Sequence, residues 1–389
     1  MADAVIGDEA IYLDYNATAP PRPEAVEAVT AAMREVGNAT SVHGHGQDAA
    51  HRVDTARRQI AELLNCSSGE IVFTSGATEA NNLALHAAFS HDKALVTTTV
   101  EHPAVLETAK ALTAEEPHAL VLLPVDADGL VDLDALYLAL AEHTVAIVSV
   151  MAANNETGVL TDVSSVVKAA HEAGALVHTD ATQLIGRMPI DLAEIEVDLL
   201  SLSAHKFGGP QGVGALFMRR DIALPYRPLM RGGGQERGWR AGTLNVAGIA
   251  GAGAAAQAAA FGLAAESARI RRLRDAFELA VTAQLPYCRI NGARDQRLPG
   301  VSSITFAGAP ADAVLAAMPE VAASEGSACS SGAPGPSHVL LAMGRSREEA
   351  DATVRFSLGY ATTERDIDRA VHATVRAVRQ ARTAMAAPP

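Results

Sequence analysis

Between residues 70 and 220 short apolar runs alternate with helical patterns, and that alternation leaves few folds open. "EIVFTS" (70–75) leads into "EANNLALHAAF", "KALVTTTV" (93–100) into "PAVLETAKALTA", and "VAIVSVMA" (145–152), after a loop, into "DVSSVVKAAHEAG". "ALVHTDA" (175–181) and "VDLLSLS" (197–203) read as two further buried strands, and "GVGALFMRR" (212–220) as a strand leaving the loop that follows them. Strands alternating with helices of this length predict βα units and an α/β fold around a mainly parallel sheet.

The texture changes after residue 220. "RGGGQERGWRAGTLN" (231–245) is a glycine-rich charged loop, and a long Ala-rich helical segment follows it. The last hundred residues mix short strands ("SSITFAG", "ATVRFSLG") with helices ("ADAVLAAM", "EEADATV", "ERDIDRAVHATVRAVRQAR"). A chain of 389 residues exceeds what one hydrophobic core usually serves. We expect a large α/β domain over residues 17–258 and a smaller α+β domain combining 1–16 with 259–389.

Charge and cysteine usage narrow the function classes. A net charge of −14, with no separate basic block, argues against nucleic acid as a partner. The uncharged run 246–265 is mostly Ala and Gly, whereas membrane insertion is driven by Leu, Ile, Phe and Val, so a buried helix is expected and no membrane partner. Three scattered cysteines form neither a metal spacing nor a C-x-x-C pair, which fits a reducing cytoplasm. The acidic first twenty residues read as no signal peptide. The histidines of "HGHG" (43–46) lack further ligands at useful spacing, and no resident metal is expected.

Open parallel sheets bind ligands beyond the carboxyl ends of their strands. Those ends here carry "SGATEANN", "EHPAV" with His102, "NNETG" with Asn154 and Asn155, "TDATQ" with Asp180 and Gln183, and "SAHKFGGPQGVG" with His205 and Lys206. An isolated lysine beginning a loop is ordinarily a surface group. At the edge of a buried crevice it loses its proton more readily, and the neutral amine attacks carbonyls. Asp180, one strand earlier, favours that reading. A carboxylate beneath a pyridine nitrogen keeps the ring protonated, which makes it the electron sink of pyridoxal 5'-phosphate (PLP) chemistry. "TSGATE" fits the same ligand, since the N–H groups of Ala77 and Thr78 at a helix start are placed to bind phosphate. His102 is placed to stack on the ring and carry protons, and Asn155 and Gln183 to bond its phenolic oxygen.

These motifs, together with "YLDYNATAPPRPE", "GNATSVHGHG", "GGGQERGWRAGT", "GSACSSG" and "VRFSLG", resemble nearly end to end a cysteine desulfurase of the NifS/IscS type. That family lies in the class V, fold-type I group of PLP enzymes. The resemblance implies a seven-stranded sheet in the large domain and Lys206 as the lysine that joins the cofactor. It implies Asp180 as partner of the ring nitrogen and His102 as the stacked proton carrier. Ala77, Thr78, Ser203 and His205 resemble the phosphate contacts. Thr243 resembles a phosphate contact supplied by a neighbouring subunit, hence a homodimer. Asn155 resembles both a ring contact and a substrate contact, and Arg355 the binder of the substrate carboxylate, a role that suits a planar guanidinium.

Cys329 then acquires a role. It lies in "ASEGSACSSGAPGPS" (323–337), among small residues with no apolar run in which to be buried. With L-cysteine as substrate, its thiolate would attack the substrate sulfur and leave alanine and a Cys329 persulfide. Gly326, Gly332 and the flanking serines would let the loop swing. By the resemblance the sulfur would pass to an acceptor protein such as an iron–sulfur scaffold, or to tRNA thiolation or DNA phosphorothioation, and Cys329 would touch a cluster only during such a transfer. Cys66 and Cys288 are assigned no catalytic part. Two positions depart from the family pattern: Glu325 stands where serine is usual, and Gln211 where lysine is usual. A selenocysteine lyase, or another PLP lyase or aminotransferase, is the nearest rival. A non-catalytic sulfur-relay scaffold is a second, disfavoured by Lys206, Asp180 and His102.

Overall fold

The computed structural model of the chain describes residues 10–115, 119–224, 227–326 and 335–386. A short strand β1 (Ile11–Tyr12) precedes helices α1 (Pro23–Met33) and α2 (Gly44–Leu64). There follow β2 (Ile71–Thr74), α3 (Ala77–Ala88), β3 (Ala94–Thr98), α4 (Pro103–Leu112), β4 (Leu120–Leu123), α5 (Leu133–Glu142) and β5 (Val145–Met151). Next are α6 (Val163–Glu172), β6 (Leu176–Asp180), β7 (Leu199–Ser203), β8 (Gly214–Met218), α7 (Val246–Ala260) and α8 (Leu263–Gln284). The remainder comprises β9 (Cys288–Asn291), β10 (Val301–Phe306), α9 (Ala311–Ala316), β11 (Val321–Ala322), β12 (Ser324–Glu325), α10 (His338–Ala342), α11 (Arg347–Asp351), β13 (Thr353–Ser357) and α12 (Glu364–Ala386).

Seven strands form one sheet in the order β2-β8-β7-β6-β5-β3-β4. Only β8 runs antiparallel to its neighbours; the rest pair in parallel. Six of the seven are the strands read from the apolar runs. The seventh, β4, was not among them. Its "LVLL" lies at the sheet edge with Leu122 exposed, so it shows neither the full burial nor the alternation that marks a strand. Helices α1, α2 and α7 cover one face, where Val53, Ile60, Phe73 and Val148 pack with Ile249. Leu83, Leu85 and Val105 of α3 and α4 cover the other, against Val72, Leu95 and Ile147.

A second core gathers Leu13 with Ile270, Phe277, Ile304, Phe356 and Val371 around the antiparallel sheet β12-β13-β10-β9. The Ala/Gly run that imitates a membrane span is the helix α7, largely buried, joined to α8 at a 75° bend. No single described helix is long and apolar enough to cross a membrane. Its small residues have a packing cause: a Cβ at Gly253 would come within 2.4 Å of Ala56 Cα on α2.

Candidate active site

Beyond the carboxyl ends of β5, β6 and β7 lies a cavity of about 380 Å³. Each predicted strand-end group contributes to it. Ala77 and Thr78 line it from the first turn of α3, whose opening N–H groups have no partners within the helix. The turn leading into that helix is tight. A Cβ at Gly214, on the neighbouring strand β8, would meet Gly76 Cα at 2.6 Å.

Asp180 ends β6, half-enclosed by its own partners: Asn81 Nδ2 donates to Oδ2 at 2.7 Å, and Thr182 N–H to Oδ1 at 3.0 Å. Asn81 was missed from sequence, although it follows Ala77 by one helical turn and so shares its face. His102 caps α4, its Nδ1 accepting from Ala104 N–H at 3.1 Å. With that nitrogen an acceptor, the neutral ring carries its proton on Nε2. Asn155, Gln183 and Ser203 are buried and line the same space.

Lys206 lies on the 204–213 loop between β7 and β8, and its Nζ donates to the carbonyls of Asn16 (2.5 Å) and Ala17 (2.9 Å). His205 Nδ1 is 3.1 Å from Thr18 Oγ1. Burial, then the charges of Lys206 and Arg187, push the His205 imidazole down to about 4, so it is neutral at ordinary pH. Glu101, beside His102, is completely buried; burial pushes its carboxyl up to about 8. Gln211 also lines the cavity but is exposed, at its rim.

Two expected residues stand apart from this lining. Arg355 is fully buried beside the cavity. Its Nη2 donates to Asp14 Oδ1 (2.8 Å) and its Nη1 to the Asn155 carbonyl (3.1 Å), while its Nε has no partner. Thr243 is exposed and does not touch its own chain's cavity. Cys329 lies outside the described residues, as does Gly332. Gly326, read from sequence as a source of loop mobility, is buried, and a Cβ there would sit 2.8 Å from Glu156 Oε2. Glu325 is exposed on the short strand β12. His43 of "HGHG" caps α2 through Gly46 N–H.

Residues 11–370 match the family described as Aminotransferase class-V. A cysteine desulfurase of Cereibacter sphaeroides is 44% identical over 368 residues, covering 93% of this chain and 94% of that one. Among solved structures, a NifS-like protein from Rickettsia africae superposes with a TM-score of 0.86 at 32% identity, covering 95% of this chain and 99% of that one. A protein called SspA, solved in complex with cysteine, gives a TM-score of 0.77 at 32% identity, covering 90% of this chain and 99% of that one.

The chain belongs to the cysteine desulfurases of the class-V aminotransferase family. Cysteine desulfurases use PLP, and the cavity fits that cofactor on its own terms. Its volume suits a ligand of that size. Buried polar atoms without a partner are uncommon, yet Asn81 Oδ1, Thr182 Oγ1 and Gln183 Oε1 are three, all on residues lining this cavity. An unpaired helix N-terminus for phosphate, a buried carboxylate for the ring nitrogen and an amine for the aldehyde surround the same space.

Proposed function

We propose that the chain converts L-cysteine to L-alanine and passes the sulfur, as a persulfide on Cys329, to an acceptor protein such as an iron–sulfur scaffold. The observation that carries this reading is the convergence of Lys206, Asp180, His102 and the α3 N-terminus on one cavity, with Arg355 one contact away through Asn155.

Ala77, Thr78, Ser203 and His205 would hold the phosphate, Asp180 the ring nitrogen, Asn155 and Gln183 the ring oxygen, and His102 the ring face. Bound PLP supplies an aldehyde for amines and a protonated ring that draws electrons from the substrate's Cα. Arg355 grips the substrate carboxylate, for which its unpartnered Nε is a waiting donor. Lys206 takes the Cα proton, and His102 holds a proton on Nε2 within the same cavity. The Cys329 thiolate attacks the substrate sulfur. The S–Cβ bond breaks with its electron pair to carbon; a proton delivered to Cβ and a proton returned to Cα from Lys206 complete L-alanine, leaving Cys329–SSH.

The other thiols support the choice of Cys329. Burial, then Glu70, pushes Cys66 up to about 12, and burial raises Cys288, so neither is a ready thiolate. We further read the protein as a cytoplasmic homodimer in which Thr243 serves the partner's site. Its two cores would be separate domains, divided at residues 16/17 and 258/259. The test is direct. Purified protein with PLP should show the absorbance of a lysine-bound cofactor and release sulfide and alanine in equal amounts from L-cysteine. Lys206→Ala should abolish turnover. A protein with no affinity for PLP, or turnover by Lys206→Ala at the wild-type rate, would refute the reading.

A further inference from the structure

We propose that Asn16 is a positioning residue that registers the substrate's carboxylate site against the Lys206 amine. The inference rests on the desulfurase reading in one respect, that Arg355 meets the substrate carboxylate.

Asn16 is fully buried, and all its polar groups are engaged. Its N–H donates to Ser357 Oγ at 2.8 Å, and its Nδ2 to the Asn155 carbonyl at 2.8 Å. Its Oδ1 accepts from Arg187 Nη1. Its carbonyl accepts from Gln183 Nε2 (3.1 Å) and from Lys206 Nζ (2.5 Å). One residue thus touches five others from separate parts of the chain, three of which line the cavity.

The neighbours of Asn16 extend the pattern in both directions. Two residues earlier, Asp14 accepts from Arg355 Nη2; one residue later, the Ala17 carbonyl accepts from Lys206. Asn16 and Arg355 also share an acceptor, the Asn155 carbonyl. Residues 14–17 therefore hold the guanidinium at one end and the amine at the other, at most about 11 Å apart along the backbone. The stretch is laced to the strand bearing Arg355 through Ser357 N–H to the Leu13 carbonyl and Tyr15 N–H to the Ser357 carbonyl. It is laced to the lysine loop through Ala19 N–H to the His205 carbonyl. Catalytic geometry tolerates little displacement, and a shift of about 1 Å costs on the order of 100-fold in rate. The main chain supplies the bonds to Ser357, Gln183 and Lys206, and the side chain, held between the Asn155 carbonyl and Arg187, sets where that main-chain oxygen sits.

The experiment uses full-length holoenzyme carrying Asn16→Ala or Asn16→Asp. Both remove the donor to Asn155, while Asp keeps the acceptor for Arg187. We expect unchanged cofactor content and a KM for L-cysteine raised about tenfold. The affinity for L-alanine, which has the amine and carboxylate but no thiol, should weaken by the same factor when read from cofactor absorbance. Folded variants with wild-type KM and wild-type L-alanine affinity would overturn the proposal, even if kcat fell. Should the alanine variant not fold, the aspartate variant decides. A wild-type protein that takes up PLP but releases no sulfide would instead refute the desulfurase reading, a result distinct from any difference between variants.

Discussion

Asn81 Nδ2 donates to Asp180 Oδ2 at 2.7 Å inside the cavity that both residues line. With Thr182 N–H on the other oxygen, the bond fixes how the carboxylate faces the proposed ring nitrogen. Asn81→Ala should keep the phosphate-binding turn and the cofactor but let the carboxylate rotate. We expect kcat to fall about tenfold, with cofactor content unchanged. Asp180→Ala should be more damaging, by about 100-fold or more, because it removes the charge itself. Equal effects of the two substitutions would argue against an orienting role for Asn81.

Cys329→Ala should retain the cofactor's colour and lose sulfide release from L-cysteine. Cys66→Ala and Cys288→Ala should release sulfide as the wild type does, since both thiols are raised by burial. Sulfide production by Cys329→Ala at the wild-type rate would remove that thiol from the chemistry.

Much of this site was legible before any coordinates. Strand-end positions are fixed by apolar runs, and whatever follows a run in a parallel sheet must lie at one edge. That logic located His102, Asn155, Asp180, Gln183 and Lys206 together. It failed for Asn16, which precedes every strand of the large sheet and meets the cavity residues Asn155, Gln183 and Lys206 only through long-range contacts. Arg355 came from the family motif rather than from a strand end, and the structure buries it against Asp14 and Asn155, one contact from the cavity. Strand β4 escaped because an edge strand keeps side chains half-exposed.

Glu101 makes stability fall with rising pH. Burial pushes its carboxyl up to about 8, against the pull of hydrogen bonds from Met151 N–H and the Thr98 hydroxyl, and its Oε2 has no partner. The unfolded chain ionises this group near its ordinary value of 4.5, the folded chain only near 8. Folding stability from Glu101 is therefore complete below about 4.5 and is lost as the pH climbs to about 8. Glu101→Gln cannot ionise. Its melting temperature should drop less than that of the wild type between about pH 6 and about pH 9. Parallel pH profiles for the two proteins would exclude Glu101 as the cause.

Arg57 and Glu236 form a two-pronged ion pair at 2.8 and 2.6 Å, with the carboxylate almost wholly buried. Glu236 Oε2 also accepts from Phe73 N–H, and Glu236 and Arg237 both hold positive φ, at 49° and 56°. The pair thus pins the glycine-rich loop to β2 in a conformation these side chains disfavour. Arg57→Ala leaves a buried charge without its partner and should cost about 3–5 kcal/mol, read from denaturant unfolding. A loss below about 1 kcal/mol would mean the pair is dispensable.

The hairpin formed by β7 and β8 has a consequence for the lysine between them. Ser203 pairs with Gly214, Ala204 N–H bonds the Val213 carbonyl, and Gly209 N–H returns to Ala204. Both feet of the loop are thus anchored in interior strands of the sheet. The amine travels only as far as its own four-carbon stem allows, like a lever on a fixed pivot. If Lys206 is the base we propose, its accuracy comes from that short, stationary mounting.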